Sequence, residues 1–403
     1  MDKHILVLNV GSSSTKFSLY RVVHATLSPV LTGQVTRVEQ HNQFTVHYSA
    51  ESSPQLWQEH ESADHHSSVI SRILHFLDSR GLGLAVTTVG HRVVHGGMAF
   101  SAPVLINDEV FASLQQLQAL APLHQIHNLQ AIATVKRYMP KVRQVACFDT
   151  AFHRSMPAVA QTFAIPKSLT EQGIRPYGFH GLSYQYIASV LPSIAAPQDL
   201  ARVVVAHLGS GASLCAMRDL HSVATTMSFT PLDGLAMATR SGAIDPGALL
   251  YLLKNKTMTV EQLEQLLNHQ SGLLGLSGIS ADLAVLLASD QPDAVAAVAH
   301  YIYRIVLALA SMVAAIGGIN TLVFTAGIGQ HSAPLRERVC QQLAWLGISL
   351  DAQANLNNAR CISSRDSKVA VYVIATDEEL MIAQHCLELD ANGESKKDNK
   401  DDY

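Results

Sequence analysis

The 403-residue sequence is poor in charged residues and in cysteine, and each shortage argues against a class of protein. Charged residues make up 15% of the chain and the net charge is −4, so no basic surplus indicates binding to nucleic acid or to an anionic membrane. The five cysteines contain no Cys-x-x-Cys pair. This favours buried thiols in a reducing, cytoplasmic compartment over zinc sites or disulfides.

Several enzyme motifs are also absent. The chain has no Gly-x4-Gly-Lys-[Ser/Thr] and no Gly-x-Gly-x-x-Gly after a strand, which argues against a P-loop enzyme and a dinucleotide site. It also lacks His-Glu-x-x-His and Gly-x-Ser-x-Gly, the motifs of two hydrolase classes. The apolar stretch 5–10 is too short for a signal peptide. The apolar run 305–319 is shorter than the roughly 20 residues of a membrane span and predicts a buried helix capped by Gly317.

Two loops rich in glycine and serine are the most informative feature that is present. They lie within residues 6–20 and 203–217, and each predicts a strand, a tight turn and a second strand. Glycine lets the backbone approach an anion closely, and hydroxyl side chains donate hydrogen bonds to it. Either loop alone is explained by an ordinary hairpin. The pair, with Lys16 closing the first loop, predicts a duplicated fold that holds a nucleotide.

Other segments predict the strands and helices around these loops. Asn107 predicts the N-cap of a helix through Leu120, and Thr259 with Gln262 predicts a capping box. A buried strand is predicted at Thr321–Thr325, and the glycine turn after it precedes a helix near residues 334–346, which is an arrangement suited to an anion or a ribose. Additional strands are predicted at residues 86–94, 144–148 and 369–375, and a helix at 183–191.

Polar residues follow the glycine turns, although each has a structural explanation when taken singly. Arg92 suits a surface ion pair, Asp149 a turn cap and His180 a core position. The histidine pairs His91/His95 and His124/His127 have helical spacing but flank proline, glycine or strand-like residues, so we favour non-ligand roles for them.

Taken together, eleven short segments resemble the acetate kinase family of carboxylate phosphotransferases. In chain order they are residues 9–16, 91–97, 122–124, 148–153, 177–181, 207–213, 229–234, 239–242, 271–278, 324–329 and 376–379.

The resemblance implies the α/β fold shared by sugar kinases, hexokinase, Hsp70 and actin. Two ribonuclease-H-like (actin-like ATPase) domains would face a central cleft. Residues 1–150 would form the first domain, completed by a C-terminal helix at about 379–391. Residues 151–378 would form the nucleotide-binding domain, and 392–403 a disordered tail. The resemblance also implies a homodimer. Composition and cysteine usage predict a cytoplasmic protein without nucleic-acid or membrane partners.

The implied reaction is the reversible, in-line transfer of a phosphoryl group from ATP to acetate, giving acetyl phosphate and ADP. A carboxylate with a pKa of about 4–5 is already ionised at pH 7, so no general base is needed. The site must instead bring two anions together with positive charge, Mg²⁺ (or Mn²⁺) and in-line geometry. By resemblance, the catalytic residues are Arg92, Asp149, His180 and Arg240, and the metal residues are Asn9 and Glu378.

The resemblance also implies the binding residues. The carboxylate substrate would contact Arg92, Val94, Leu123, Phe179 and Pro231. His180 would hydrogen-bond the phosphoryl group in transit, with His124 and His207 nearby as further donors. Val94 lies two residues after Arg92 on the predicted strand 86–94, so both side chains point to the same face and Val94 should limit the acyl chain. ATP would contact Ser12, Ser14, Lys16, His207, Leu208, Gly209, Ser210, Gly211, Asp282, Leu283, Ala284, Gly327, Ile328, Gly329, Gln330 and His331.

Departures from the family pattern bear mainly on the nucleotide. Ser210 replaces the usual Asn, Ala284 an Arg, and Gln330-His331 a Glu-Asn pair, while Gln125-Ile126 replaces Asn-Pro. Alternative functions are a propionate or butyrate kinase, a catalytically silent nucleotide-binding relative, and a sugar kinase. The sugar kinase would need a base for a hydroxyl, and two arginines in a small apolar pocket suit an anionic acceptor better.

Overall fold

The computed structural model describes residues 3–11, 14–38, 41–49, 55–59 and 66–398. The chain divides into two compact units. Unit 1 comprises the residues up to Ala151 together with those from Asp377 onward, and unit 2 is Phe152–Thr376. Both units contain a mixed β-sheet with helices, which confirms the predicted α/β class.

Unit 1 is built on one sheet of strand order β5-β4-β3-β2-β1-β6-β8-β7. Its strands are β1 (Lys3–Val10), β2 (Ser14–Val23), β3 (Thr26–Val38), β4 (His41–Tyr48), β5 (Gln55–Glu59), β6 (Val86–Val93), β7 (Val104–Leu105) and β8 (Arg143–Phe148). Its helices are α1 (His66–Ser79), α2 (Asp108–Gln116) and α3 (Pro122–Tyr138), with 3-10 turns at Gly83–Ala85 and Leu117–Leu120.

Unit 2 is built on a sheet of strand order β11-β10-β9-β12-β13. Its strands are β9 (Arg202–Leu208), β10 (Ala212–Arg218), β11 (His221–Thr225), β12 (Thr321–Thr325) and β13 (Ala370–Val373). Its helices are α4 (Lys167–Glu171), α5 (Gly181–Val190), α6 (Pro246–Asn255), α7 (Val260–His269), α8 (Gly272–Ser277), α9 (Leu283–Leu287), α10 (Pro292–Ile316), α11 (Ala326–His331), α12 (Ala333–Gln342) and α13 (Ala352–Leu356).

The two sheets share one topology at their centres. In each, an antiparallel hairpin carries a glycine-rich loop, β1–β2 in unit 1 and β9–β10 in unit 2. A third strand pairs antiparallel with the second strand of the hairpin, and two parallel strands follow on the other side. This repeated arrangement is the duplication that the two loops predicted.

Burial explains which segments form the central strands. All residues of β1 except Lys3 are buried, and β12 is buried throughout. Strands packed on both faces read as continuous apolar runs, which is how they appear in this sequence. Helix α10 packs on β10 and α8, and Gly317 ends it at φ +72°, as expected. By length and composition alone α10 could cross a membrane, and 39% of its apolar 18-residue window is buried.

Two predicted caps are present, and one predicted helix is shorter than expected. Asn107 accepts a hydrogen bond from the Val110 N–H at 2.8 Å, and both bonds of the Thr259–Gln262 capping box are formed. Helix α2 ends at Gln116 and continues to Leu120 only as a 3-10 turn.

The C-terminal helix is longer than predicted. Helix α14 (Glu378–Asp398) returns to unit 1 and packs on β1 and β6. The helix extends past residue 392, where the predicted tail begins, and residues 399–403 lie outside the described residues. Once its first turns are docked, a helix extends readily because each added residue gains a backbone hydrogen bond without a new nucleation step.

Candidate active site

An ion pair between Arg92 and Asp149 forms the centre of the predicted site in unit 1. Arg92 lies near the end of β6, and Asp149 follows the end of the neighbouring parallel strand β8. The arginine Nε and Nη2 atoms donate to Asp149 Oδ1 at 3.1 Å and Oδ2 at 2.5 Å. Asp149 therefore engages two of the guanidinium nitrogens of Arg92, the residue predicted to contact the substrate carboxylate.

Three further carboxyl groups lie at the start of α14 beside this pair. Asn9, near the end of β1, donates through Nδ2 to Glu378 Oε2 at 3.1 Å and to Glu379 Oε1 at 2.7 Å. Asp377 caps the helix by accepting the Leu380 N–H at 2.8 Å. We call Asp149, Asp377, Glu378 and Glu379 the acidic cluster.

The charges of the acidic cluster shift the pKa values of its members. Burial raises the pKa of Asp149, and Glu378 adds to the rise while Arg92 opposes it. Burial also raises the pKa of Glu379 and of Asp377, with Lys16 opposing in both cases. For Arg92, burial acts to lower the pKa, but the charges of the surrounding carboxylates outweigh burial and raise it.

The acidic cluster carries more negative than positive charge. When ionised, its four carboxylates face Arg92 and Lys16, which leaves two excess negative charges. Hard oxygen donors with an excess of two negative charges fit a divalent cation such as Mg²⁺. Among the described residues, no group of three or more His, Cys, Asp or Glu side chains forms a metal cage. Mg²⁺ does not require one, because it usually keeps several waters and takes one or two carboxylates plus phosphates.

Two buried amides connect the predicted site segments of unit 1, and neither was singled out as a site residue. Asn128 accepts from the Val94 N–H at 3.1 Å and donates to the Val10 carbonyl at 3.2 Å. Gln125 accepts from the His95 N–H and donates to the His95 carbonyl, both at 3.2 Å. Gln125, which stands where the family usually has Asn, thus still provides an amide, and this amide holds the backbone of His95. Polar residues in the first turns of α3 were the signal in the sequence that could have indicated these two amides.

The remaining unit 1 candidates are placed as follows. Strand β6 ends at Val93, one residue before its predicted end, so strand alternation does not fix the direction of the buried Val94 side chain. Ser14 is half-buried, and its carbonyl accepts the Gly11 N–H at 2.9 Å. His124 is half-buried in the first turn of α3. Leu123 lies in the same turn, and Ser12 lies outside the described residues.

His180 is the centre of the predicted site in unit 2. It precedes α5 with φ +58°, a left-handed conformation that is uncommon for a residue with a side chain. Its ring stacks on His207 with centroids 4.1 Å apart, and its Nδ1 lies 2.8 Å from Ser213 Oγ. His207 Nδ1 lies 2.8 Å from Ser183 Oγ. Neighbouring hydroxyls therefore orient both imidazoles.

The second glycine loop brings His180 and Arg240 together at Gly211. A Cβ atom at Gly211 would lie 3.4 Å from His180 Nε2 and 3.5 Å from Arg240 Nη1. The loop closes on itself through a 3.0 Å bond from the Gly209 N–H to the Gly211 carbonyl. Arg240 Nη1 also donates to the Pro231 carbonyl at 3.3 Å. The second glycine loop, the imidazole of His180 and the guanidinium of Arg240 thus converge. Because Gly211 has no side chain, the space between them stays open.

The third predicted anion site lies where β12 runs into α11. Ala326 adopts φ +63° at this junction, a strained conformation of the kind that clusters at functional sites. Apart from the adjacent backbone of α11, no atom of the described residues lies within 4 Å of where a Cβ of Gly327 would be, so the backbone is accessible there. Gly329, Gln330 and His331 complete the short helix.

A fully buried arginine lies beneath this segment and was not singled out as a site residue. Arg336 of α12 donates through Nη1 to the carbonyls of Gly329 and Gln330 at 2.9 and 2.7 Å. Its Nε and Nη2 donate to Asn355 Oδ1, the Asn355 carbonyl and Asn358 Oδ1 at 2.6 to 2.8 Å. All five guanidinium hydrogens are matched to oxygen atoms. Arg336 shares a helix face with the apolar residues Ala333, Val339 and Cys340, and this spacing was the signal available in the sequence.

Other unit 2 candidates are less open to a ligand than predicted. The side chains of Leu208 and Phe179 are almost fully buried, so Leu208 offers mainly its backbone. Asp282 is the N-cap of α9, where Oδ1 accepts the Ala284 N–H at 2.8 Å. Leu283 is buried, whereas Ala284 and Ser210 are exposed. Pro231 is half-buried.

Comparison with known proteins shows what this chain is similar to. A family model described as the acetokinase family matches residues 4–384. An acetate kinase of Rhodopseudomonas palustris strain TIE-1 is 48% identical over 399 residues, covering 98% of this chain and 100% of the relative. An acetate kinase of Rhizobium meliloti is 45% identical over 387 residues, covering 96% of this chain and 98% of the relative.

Two solved structures match the fold of this chain over nearly its full length. A propionate kinase from Francisella tularensis subsp. tularensis SCHU S4 has a TM-score of 0.88 at 37% identity, covering 95% of this chain and 98% of that one. The acetate kinase of Porphyromonas gingivalis has a TM-score of 0.84 at 34% identity, covering 96% and 99%. The fold is thus that of kinases with two actin-like ATPase domains. Within that class, the chain belongs to the acetokinase family and is an ATP-dependent kinase whose phosphoryl acceptor is a carboxyl group.

Proposed function

We propose that this chain catalyses the Mg²⁺-dependent, reversible transfer of the γ-phosphoryl group of ATP to acetate. An acetate oxygen forms a new bond to phosphorus, the bond from phosphorus to the bridging oxygen breaks, and ADP leaves with the electron pair. The observation that carries the proposal is the convergence of His180 Nε2 and Arg240 Nη1 at Gly211 of the second glycine loop. The names of the relatives support acetate as the acceptor.

The chemistry requires charge neutralisation rather than a base. Acetate is ionised at pH 7, so its attack on another anion is opposed by repulsion. Arg240 and His180 would stabilise the phosphoryl group in transit, since charged donors aimed at developing charge contribute most in a water-poor site. Arg92 would neutralise the acetate carboxylate with the donors that Asp149 does not engage. Asp149 would hold the guanidinium in a fixed orientation.

Mg²⁺ would bind at the acidic cluster, which has the donor chemistry and the excess negative charge for it. Glu378 is the foremost ligand candidate, with Asp149 as a direct or water-mediated second. Asn9, oriented with Nδ2 toward Glu378 and Glu379, would hold the carboxylates in place, or ligate through its amide oxygen. When bound, Mg²⁺ would reduce the negative charge on the phosphates. Lys16 would contact the phosphates from the first loop.

ATP would lie on the segments His207–Gly211, Asp282–Ala284 and Gly327–His331. The open backbone at Gly327 supports this proposal, because no side chain covers the chain at the start of α11. The second loop is kept tight by its own bond from the Gly209 N–H to the Gly211 carbonyl. The absence of an arginine at Ala284 should weaken ATP binding relative to family members that have one.

A homodimer in the cytoplasm is the assembly we propose. The exposed face of α10 carries Val295, Tyr303 and Leu307, which are 55%, 54% and 47% exposed. An apolar helix face of this kind suits burial against a second copy of the chain. Tyr303→Glu should convert the dimer to a monomer in light-scattering measurements, whereas the same substitution at exposed Val159 should not.

A hydroxamate assay with purified protein tests the function most directly. Acetate, propionate, butyrate and a hexose are offered with ATP and MgCl₂, and acyl phosphate is trapped as the hydroxamate. We expect acetate to give the highest kcat/KM, propionate a lower one and hexose none. Preference for propionate or butyrate would favour the alternative kinase. Nucleotide binding without any acyl phosphate would identify a silent relative and refute the proposal.

A further inference from the structure

His153 ends the motif segment that begins at Phe148, yet the proposed chemistry gives it no role. Its side chain is fully buried in unit 2. Its Nε2 lies 2.9 Å from the Phe179 carbonyl oxygen, and its Nδ1 lies 2.8 Å from Ser222 Oγ. A carbonyl only accepts, so Nε2 carries the hydrogen. Burial lowers the pKa of His153 to about 4, so at pH 7 the ring is neutral and Nδ1 accepts from the Ser222 hydroxyl.

The carbonyl that His153 binds belongs to the residue immediately before His180. The turn at residues 177–180 has an unusual backbone, with φ +83° at Gly178 and +58° at His180. On one side, the Tyr177 and Gly178 N–H groups donate to the Ser228 carbonyl at 2.9 and 3.2 Å. His153 provides a further restraint through its bond to Phe179. Backbone in such sparsely populated regions persists only where its surroundings determine it.

The ring of His153 also packs directly against this turn. A Cβ atom at Gly178 would lie 2.6 Å from two carbon atoms of the imidazole, so only glycine fits there. The ring meets Tyr184 edge-on, with centroids 5.6 Å apart. The Tyr184 hydroxyl lies 2.5 Å from Ser213 Oγ, the same hydroxyl that lies beside His180 Nδ1. His153 therefore contacts both the backbone before His180 and the residue that shares its hydroxyl partner.

We propose that His153 is a positioning residue for His180. Its hydrogen bond to Phe179 and its contact with Gly178 fix the turn, so that His180 keeps its left-handed backbone and its bond to Ser213. This role rests on the proposed function of His180 in phosphoryl transfer. His153 itself contacts neither substrate nor the reacting atoms.

Substitutions that separate packing from hydrogen bonding test this role. His153→Phe keeps a ring and removes both bonds, whereas His153→Gln keeps a donor near the position of Nε2. We expect His153→Phe to lower kcat about 10- to 100-fold, since small misplacements of a catalytic group have effects of this size. KM for ATP and acetate should change less than about threefold, and His153→Gln should recover most of kcat. The matched control is His221→Phe, at an exposed position on the strand that carries Ser222.

A double-mutant cycle separates positioning of His180 from general damage. In a His180→Ala background, His153→Phe should lower the residual rate by no more than about twofold, because the group that it positions is gone. An equal loss in both backgrounds would overturn the proposal, as would a folded His153→Phe variant with wild-type kcat. If that variant does not fold, His153→Asn and His153→Gln are compared, and equal kcat values for these two would refute the role of Nε2. A wild-type protein that makes no acyl phosphate would instead overturn the proposed function, and this role with it.

Discussion

The candidate site residues of unit 1 and unit 2 are stabilised by different interactions. In unit 1, Arg92 and Asp149 form a buried ion pair, and the other carboxylates of the acidic cluster surround them. In unit 2, His180 and His207 are held by hydroxyls, by ring stacking and by a turn built on glycine. Charge therefore organises one set of residues, and hydrogen bonds to hydroxyls with close backbone approach organise the other.

Because of this difference, the site residues of unit 1 and those of unit 2 should respond differently to the same perturbation. Removing one partner of a buried ion pair leaves an unpaired charge, so stability and activity fall together. Removing a half-buried donor at a glycine loop leaves groups that water can reach, so activity should fall with less loss of stability. Salt, pH and divalent cations should act mainly on unit 1.

The largest expected effects follow from replacing the two arginines. Arg92→Ala and Arg240→Ala should each lower kcat/KM by about 10²–10⁴-fold, because each removes charge aimed at the transition state. Lysine should rescue either variant poorly, since it cannot form a fork. Only Arg92→Ala should also lower the free energy of unfolding strongly, by about 3–5 kcal/mol, because it leaves Asp149 buried and unpaired.

Steady-state kinetics and urea unfolding of the two variants check this contrast. Arg92→Ala combined with Asp149→Ala should recover part of the lost stability without recovering activity. Near-normal turnover of either single variant would show that its arginine is structural. Equal destabilisation by both single variants would remove the distinction between the units.

The next effect concerns Mg²⁺ and pH. The pKa values of Asp149, Asp377 and Glu379 are raised above their ordinary values of 3.8, 3.8 and 4.5, so the folded state binds protons more tightly than the unfolded state. Their contribution to stability is therefore present below the ordinary pKa and is lost as pH rises through the folded-state pKa. A bound cation offsets this loss, so MgCl₂ should raise Tm more at pH 7.5 than at pH 5.

Thermal melts with and without MgCl₂ at the two pH values measure this effect. Glu378→Gln should reduce the increment in Tm, and both Glu378→Gln and Asp149→Asn should raise the Mg²⁺ concentration needed for half-maximal activity. Glu264→Gln, at an exposed position of α7, is the matched control. A metal site at the acidic cluster would be contradicted if MgCl₂ raised Tm equally at both pH values. It would also be contradicted if MgCl₂ raised Tm equally in Glu378→Gln and in wild type.

A smaller effect is expected beneath the proposed ATP segment. Arg336→Met leaves the buried carbonyls of Gly329 and Gln330 without donors, so the free energy of unfolding should fall by about 3 kcal/mol. The 327–331 segment should then become less ordered, and KM for ATP should rise about tenfold or more while KM for acetate changes little. Arg336→Lys should not restore the wild-type KM for ATP. Arg338→Met, exposed on the same helix, is the control, and equal changes in both KM values would argue against a local effect.

The smallest effect concerns acyl chain length. Val94 is almost fully buried next to the end of β6, and its methyl groups should limit the pocket near Arg92. Because one methylene in an apolar pocket is worth about 1–3 kcal/mol, propionate should be a poorer substrate than acetate but still be turned over. Val94→Ala should narrow the acetate-to-propionate ratio of kcat/KM. An unchanged ratio would show that Val94 does not set the pocket.

Local patterns predicted most of the elements, because apolar runs, caps and glycine turns act within a few residues. Strand β12 was predicted to the residue, and the capping box of α7 was correct. The end of α2 and the length of α14 were not predicted, since helix ends depend on what the last turn packs against. The motif set also predicted the family, because ordered short segments over the whole chain are rarely shared by chance.

Which partner each site residue would bind was decided only by the tertiary structure. The sequence indicates that Arg92, Asp149 and Glu378 are candidates, but residues 57 and 286 positions from Arg92 come together only after β6, β8 and α14 have packed. The same holds for His153 beneath His180, and for Arg336 beneath the 327–331 segment. Hydrogen bonds and ion pairs form over about 3 Å between side chains from separate elements, a distance that no pattern along the chain specifies.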